Sequence, residues 1–189
     1  MRVRMASGGR IESHFDGTIV AGPDGKMRLA LQGAFGGKDV DALLVCDGRT
    51  MRGGTSGQRF ELDAAPGLRQ GMVVGFVRMG LMHDAARLAS GRMPDYVDGS
   101  AGAHLAVVGA SHAAGEEMRG HATELWSFAL YVDHEHAADE MLWLDASTGL
   151  PVRRRVVVHL PEGDMDDGEE YDEFAVGEEE DPATFVVNP

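Results

Sequence analysis

Alternation of apolar and polar residues dominates this chain. From Arg10 to Val20, Ile11, Ser13, Phe15, Gly17 and Ile19 fall on one side, against Glu12, His14, Asp16 and Thr18 on the other. That period of two is the mark of a half-buried strand. Pro23-Asp24-Gly25 supplies a turn, because Pro presets φ and Gly accepts a positive one. Met27, Leu29 and Leu31 then alternate with Lys26, Arg28 and Gln32, so the two runs predict a hairpin. Val40 to Asp47 predicts a third strand, Asp47-Gly48 a turn toward Thr50-Met51, and Gln58 to Leu62 a further short strand. Beyond residue 100, strands are expected at 104–108, 118–132, 141–144, 152–160, 168–176 and 184–187. In the second of these, Trp126, Phe128, Leu130 and Val132 share one face.

A different period occupies Pro66 to about Ser90. Leu68, Met72, Phe76 and Met79 follow helical spacing, and Val73, Val77 and Leu88 widen the stripe. Pro66 suits a first turn, Gly91 a stop, and Pro94 prevents resumption. About ten strands joined by short turns favour an antiparallel meander over βαβ crossovers. The expected fold class is therefore α+β, an antiparallel sheet covered by one main helix. No internal repeat or long linker divides the chain, so residues 1–189 are expected to form one domain.

Composition narrows the function classes. The chain carries 17 Lys and Arg against 31 Asp and Glu, a net charge of −14. Twelve of those acids lie in residues 161–189, which hold no Lys or Arg, so the body is nearly neutral. Nucleic acid is not an expected partner, because its binding needs a basic surface. The single cysteine, Cys46, excludes an intramolecular disulfide and a multi-cysteine zinc site. No stretch approaches the ~20 uninterrupted apolar residues of a spanning helix. Met1-Arg2-Val3-Arg4-Met5 alternates like the inside of a strand and has no apolar leader core, so a targeting leader is expected to have been removed.

Candidate chemistry is sparse. His134-Glu135-His136 places two imidazoles on one side of an extended segment, near Asp133, Asp139 and Glu140. The pair alone does not supply the third ligand that zinc needs, so a metal-dependent hydrolase is the weakest reading and no metal is expected. The run from Glu162 to Glu173 has acids at calcium-loop spacing, but Asp167 stands where the sharp turn wants Gly, which rejects an EF-hand. Ser56, in Gly53-Gly54-Thr55-Ser56-Gly57, lacks the strand–turn–helix setting of a nucleophile elbow. Arg153, Arg154 and Arg155 must point in alternating directions along a strand and are expected in surface salt bridges. The chain reads as non-enzymatic and without a cofactor.

One segment is more specific. Leu142-Trp143-Leu144-Asp145-Ala146-Ser147-Thr148-Gly149-Leu150-Pro151-Val152-Arg153-Arg154 is a hairpin built on an Asx-capable Asp and a Thr-Gly bend. It resembles the hairpin of bacterial periplasmic proteins with the LolA/LolB-like lipoprotein-carrier fold. Glu170-Tyr171-Asp172-Glu173-Phe174 followed by Asp181-Pro182-Ala183-Thr184-Phe185 resembles that family's closing strands. Leu43-Leu44-Val45-Cys46-Asp47-Gly48 resembles its central strand.

The resemblance implies a strongly curved, open half-barrel whose concave face holds the acyl chains of a lipoprotein or lipid. It also implies a membrane-associated partner protein and a periplasmic or outer-membrane location. Alternation places Phe15, Ile19, Leu29, Leu31, Met72, Phe76, Met79, Trp126, Phe128 and Trp143 as the lining of that cavity. Eleven methionines suit a surface that must accept variable shapes. Arg28, in Met27-Arg28-Leu29, stands nearest to the family's aromatic-Arg-aromatic triplet and is the candidate polar latch, although its neighbours are aliphatic. The alternative is a protein-interaction module, with a core filled by its own side chains and an acidic surface that docks a basic partner.

Overall fold

Short turns at nearly every predicted position make this chain a meander. The computed structural model describes residues 2–8, 12–55, 57–64, 68, 71, 72, 75, 76, 80, 81, 84, 88, 105–177 and 179–186. Its strands are β1 (Arg2–Gly8), β2 (Ser13–Ala21), β3 (Lys26–Phe35), β4 (Lys38–Asp47), β5 (Thr50–Thr55), β6 (Gln58–Asp63), β7 (Leu105–Ala114), β8 (Thr123–Val132), β9 (Glu135–Asp145), β10 (Pro151–Val158) and β11 (Met165–Glu173). All eleven join one sheet in the order β6-β5-β4-β3-β2-β1-β11-β10-β9-β8-β7. β1 runs antiparallel to both β2 and β11, so it bridges two five-stranded halves. The sheet is open, with β6 and β7 at its two ends.

The expected cover is corrected. The described elements include no α-helix, and helical backbone is assigned only at scattered positions from Leu68 to Leu88. Those positions do reach the core. Leu68, Met72, Leu81 and Leu88 are buried among Phe15, Ile19, Met27, Leu29, Leu31, Leu44, Cys46, Met51 and Tyr171. The cluster serves the β2–β5 half, while β7 and β8 in the other half keep Val107, Val108 and Trp126 exposed. Among the described residues the fold is therefore nearly all antiparallel β rather than α+β, and no main helix covers the sheet. Met79, the Gly91 stop, Pro94 and the start of the strand expected at 104 lie outside the described residues.

Other boundaries differ from expectation: the strand expected at 141–144 spans Glu135–Asp145, that at 104–108 runs on to Ala114, and that at 168–176 is Met165–Glu173. The run 118–132 begins its strand at Thr123, because Met118 and His121 bond each other in a tight turn first. The strand expected at 184–187 is instead a 3₁₀ turn, Pro182–Phe185, in which the Asp181 side chain accepts from the Ala183 N–H at 2.9 Å. An acidic cap followed by Pro favours this start over a strand. Phe185 then packs over Gly22, where a Cβ would sit 2.8 Å from the ring.

Candidate interaction surface

The register divides the side chains between an inner face, which carries the core, and an outer one. Opposed residues share a face, so Phe15, Leu29, Leu31 and Leu44 are inner, as are Arg154, Glu169, Leu142, Trp126 and Phe128. Of the expected cavity lining, Phe15, Ile19, Leu29, Leu31 and Met72 are buried against the chain's own side chains, and Phe76 packs beside them. Trp126 and Phe128 lie on the same face of the sheet but in its other half, Trp126 with 37% of its surface exposed.

Trp143 faces outward. It pairs with Arg153 across β9 and β10, and that guanidinium sits 5.0 Å from the ring centroid. The connection between β7 and β8 passes over this region, held by Arg119 to Glu170 at 2.8 Å and to Asp172. Arg28 also belongs to the outer face. Its Nη1 reaches the Thr184 carbonyl in the C-terminal 3₁₀ turn at 3.5 Å. A shallow groove of about 620 Å³ lies nearby, lined by Leu43, Val45, Arg52, Phe60 and Glu61 among others.

The Asp145 hairpin forms as its residues require. Asp145 accepts from the Ser147 and Thr148 N–H groups at 2.9 and 2.8 Å, and Gly149 takes a φ of 71°. The hydroxyl of Ser147, then the Thr148 N–H, hold the carboxyl well below its usual range. His121 closes the loop from the other side, its Nδ1 2.6 Å from Asp145 Oδ2.

Midway across the inner face stands a buried polar cluster that sequence reasoning missed. Arg154 Nη2 donates to Glu140 at 2.7 Å, and its Nη1 lies 3.7 Å from Asp167. Glu169 accepts from the Tyr171 hydroxyl at 2.6 Å and from the Leu81 N–H at 3.1 Å. One cation among three carboxylates cannot balance three charges. Burial pushes Glu140 up to about 8 despite Arg154, and it pushes Asp167 up to about 7 with help from the Glu169 charge. Perturbed carboxyls can mark a catalytic site, but these are closed off by their neighbours. Gly80, at φ 89°, fits there because a Cβ would come within 2.4 Å of Glu169 Oε1.

The uncovered end of the sheet is the opposite in character. β7 is ten residues long, mostly exposed, and holds no Lys, Arg, Asp or Glu. Val107 and Val108 are 53% and 48% exposed, and the half-buried Phe128, Leu142 and Leu144 continue the apolar strip on the inner face. β6, at the other end, carries Arg59, Glu61 and Asp63 within six residues. Charge on an edge strand discourages further pairing, and β7 lacks that protection.

Part of the acidic stretch is matched within the molecule. Asp164 lies 3.0 Å from His159, Asp166 pairs with Arg155 at 2.5 Å, and Glu170 and Asp172 meet Arg119. Residues expected as a solvated calcium-like tip thus form much of a strand.

Comparison with known proteins yields structural neighbours only. No family model matches the chain, and no curated protein does. The crystal structure of MucB is similar at 19% identity and a TM-score of 0.42, covering 99% of this chain and 57% of that one. The Pseudomonas aeruginosa MucA/MucB complex is similar at 18% identity and a TM-score of 0.36, covering 89% of this chain and 49% of that one. A DUF1329 family protein from Desulfovibrio piger is similar at 9% identity and a TM-score of 0.28, covering 89% and 81%. This chain spans about half the length of the MucB chains it matches.

Proposed function

We propose that this chain is a protein-interaction module that receives an extended, apolar segment of a partner protein along β7 and the adjoining inner face of β8 and β9. The observation that carries this reading is the sealed core. Phe15, Ile19, Leu29, Leu31 and Met72, which would line an acyl cavity, are buried against the chain's own residues. An apolar ligand would have to displace them.

At the β7 end, Val107, Val108 and Trp126 are exposed together where strand edge and sheet face meet. An edge offers backbone hydrogen bonds, and alternate side-chain positions offer selectivity, which is how a sheet takes up a partner strand. The acidic stretch supports docking less well, since Arg119, Arg155 and His159 already face part of it. A periplasmic location belongs to the same reading, on the strength of the hairpin around Asp145.

A photo-crosslinking residue at Val108 or Trp126, compared with one at Glu61 on the opposite edge, tests this in intact cells. The expected result is one defined protein adduct at both β7-end positions and none at Glu61. Val107→Lys, combined with the Trp126 crosslinker, is expected to abolish the adduct. Native mass spectrometry after gentle purification supplies the opposing outcome. A stoichiometric acylated species released on denaturation, without protein adducts, would overturn the module and restore a carrier.

A further inference from the structure

A second site lies at the corner where β9 begins and β10 ends, on the outer face. Sequence spacing had paired His134 with His136. The fold brings His136 to a different imidazole, His159, with Asp139 between them. His136 Nε2 lies 3.0 Å from Asp139 Oδ1, and His159 Nε2 lies 3.1 Å from Asp139 Oδ2. One ligand atom from each of the three residues falls within 4.8 Å of the others.

Local backbone explains the convergence. In a regular strand, residues three apart point to opposite faces, so His136 and Asp139 should not meet. Tyr131 pairs with His136 while Leu130 pairs with Ala138, which leaves Ala137 as one extra residue in β9. That bulge reverses the alternation and turns His136 onto the side of Asp139. His159 arrives from the next hairpin, anchored by its N–H to the Ala137 carbonyl at 2.8 Å. A single backbone irregularity therefore supports two of the three side chains.

We propose that His136, Asp139 and His159 form a binding site for a divalent transition-metal ion of the zinc class. Two imidazoles and a carboxylate are a borderline donor set that favours Zn²⁺ over the oxygen-seeking Mg²⁺ or Ca²⁺. The spacing is within reach. His136 Nε2 and His159 Nε2 each approach a different oxygen of Asp139, at 3.0 and 3.1 Å. One ligand atom from each residue lies within 4.8 Å of the others, so side-chain rotation alone separates the cluster from the roughly 3.3 Å edges of a tetrahedral site.

The surroundings provide the support such ligands need. His159 presents Nε2 to Asp139 while its Nδ1 meets Asp164 Oδ1 at 3.0 Å, the carboxylate–histidine arrangement that orients a metal-binding ring. His136 is stacked on Tyr131, with centroids 5.2 Å apart, and lies 4.7 Å from the ring of His159. All three ligands are accessible to solvent, so an ion can enter, and three protein ligands leave a position open for water or a partner's side chain. The chain's net charge of −14 favours a cation at its surface.

Zn²⁺ itself is the probe. Isothermal titration of the chelator-treated chain, together with competition against a chromophoric chelator, measures stoichiometry and affinity. One equivalent is expected to bind. His136→Ala and His159→Ala are expected to weaken it at least tenfold, and Asp164→Asn by a smaller factor through loss of ring orientation. His14→Ala and His134→Ala should leave it unchanged. Substitution with Co²⁺ provides a second readout, because a visible absorption band appears only when the ion is held by protein ligands. The three surface substitutions are checked for folding by circular dichroism. Failure to take up one equivalent, or uptake that survives both His136→Ala and His159→Ala in folded protein, would overturn the site.

Discussion

The buried carboxyls make stability depend on pH in a way that one isosteric change should remove. Asp167 carries a pKa raised from 3.8 to about 7, chiefly by burial and then by the charge of Glu169. Between about pH 4 and 7 the folded chain therefore holds a proton on this group that the unfolded chain has released. Folding takes up a proton across that interval, so the stability associated with Asp167 is complete below about pH 4 and is lost as pH rises to 7. Above that it is flat. A shift of about 3 units corresponds to about 4 kcal/mol at most. Asp167→Asn keeps the shape and stays neutral. Its Oδ1 accepts no hydrogen bond from the described residues, so an amide nitrogen there breaks none.

The variant should match the parent within about 1 kcal/mol at pH 4 and exceed it by about 2–4 kcal/mol at pH 8. At this chain length that is roughly 5–15 °C in Tm. Urea denaturation of both proteins at several pH values gives the difference directly, and taking the difference cancels the other titrating groups. Parallel stability curves from pH 4 to 8 would refute the argument, because they would mean that Asp167 ionises as readily in the fold as in water.

Four more outcomes follow from the same structure. Leu29→Ala, at a fully buried position between β2 and β4, should cost about 2–5 kcal/mol in denaturant titration. Asp145→Ala should lower Tm at neutral pH by unmaking the Ser147 and Thr148 bonds. It should also weaken the acid limb of the stability profile, since a carboxyl held low contributes above its unfolded pKa and loses that as pH falls. Gly80→Ala should cost about 1–3 kcal/mol through its positive φ and the approach to Glu169, again read by urea. Trp126→Ala should change stability by less than about 1 kcal/mol yet remove the partner adduct at Val108.

What the sequence made legible depended on whether alternation had one solution. In β2 and β3 a polar residue separates most apolar ones, and the inner set of Phe15, Ile19, Leu29 and Leu31 came out as read. In β9 the run Met141-Leu142-Trp143-Leu144 is apolar on both faces, so nothing in it says which way Trp143 points. The β7–β8 connection decides that by covering the outer face, and contacts of this range leave no trace in local spacing. The 68–88 stripe did mark buried positions. Helical periodicity reports which residues face a core, however, and it says nothing about how many strands that core spans.

The arginine run and the acidic run were each read as surface, and the reading failed at the inward positions, Arg154 in the first and Asp167 and Glu169 in the second. Arg154, Val156 and Val158 alternate together on β10, as Asp167, Glu169 and Tyr171 do on β11, and both sets face inward. Arg153 and Arg155 behave as expected on the outer side, over Trp143 and beside Asp166. The signal was present, since a charged residue in phase with β-branched neighbours is either a surface exception or one half of a buried pair. Deciding between these needed the strand pairing, because Glu140 and Glu169 meet Arg154 only through register. That cluster lies between the apolar core of β2–β5 and the smaller one of Leu130, Ala138, Val156 and Val158. A polar band that must keep its hydrogen bonds resists repacking more than a wholly apolar seam would. It therefore separates the half of the sheet that carries the larger core from the half that leaves Val107 and Trp126 exposed, which on the proposed function is the half that receives the partner.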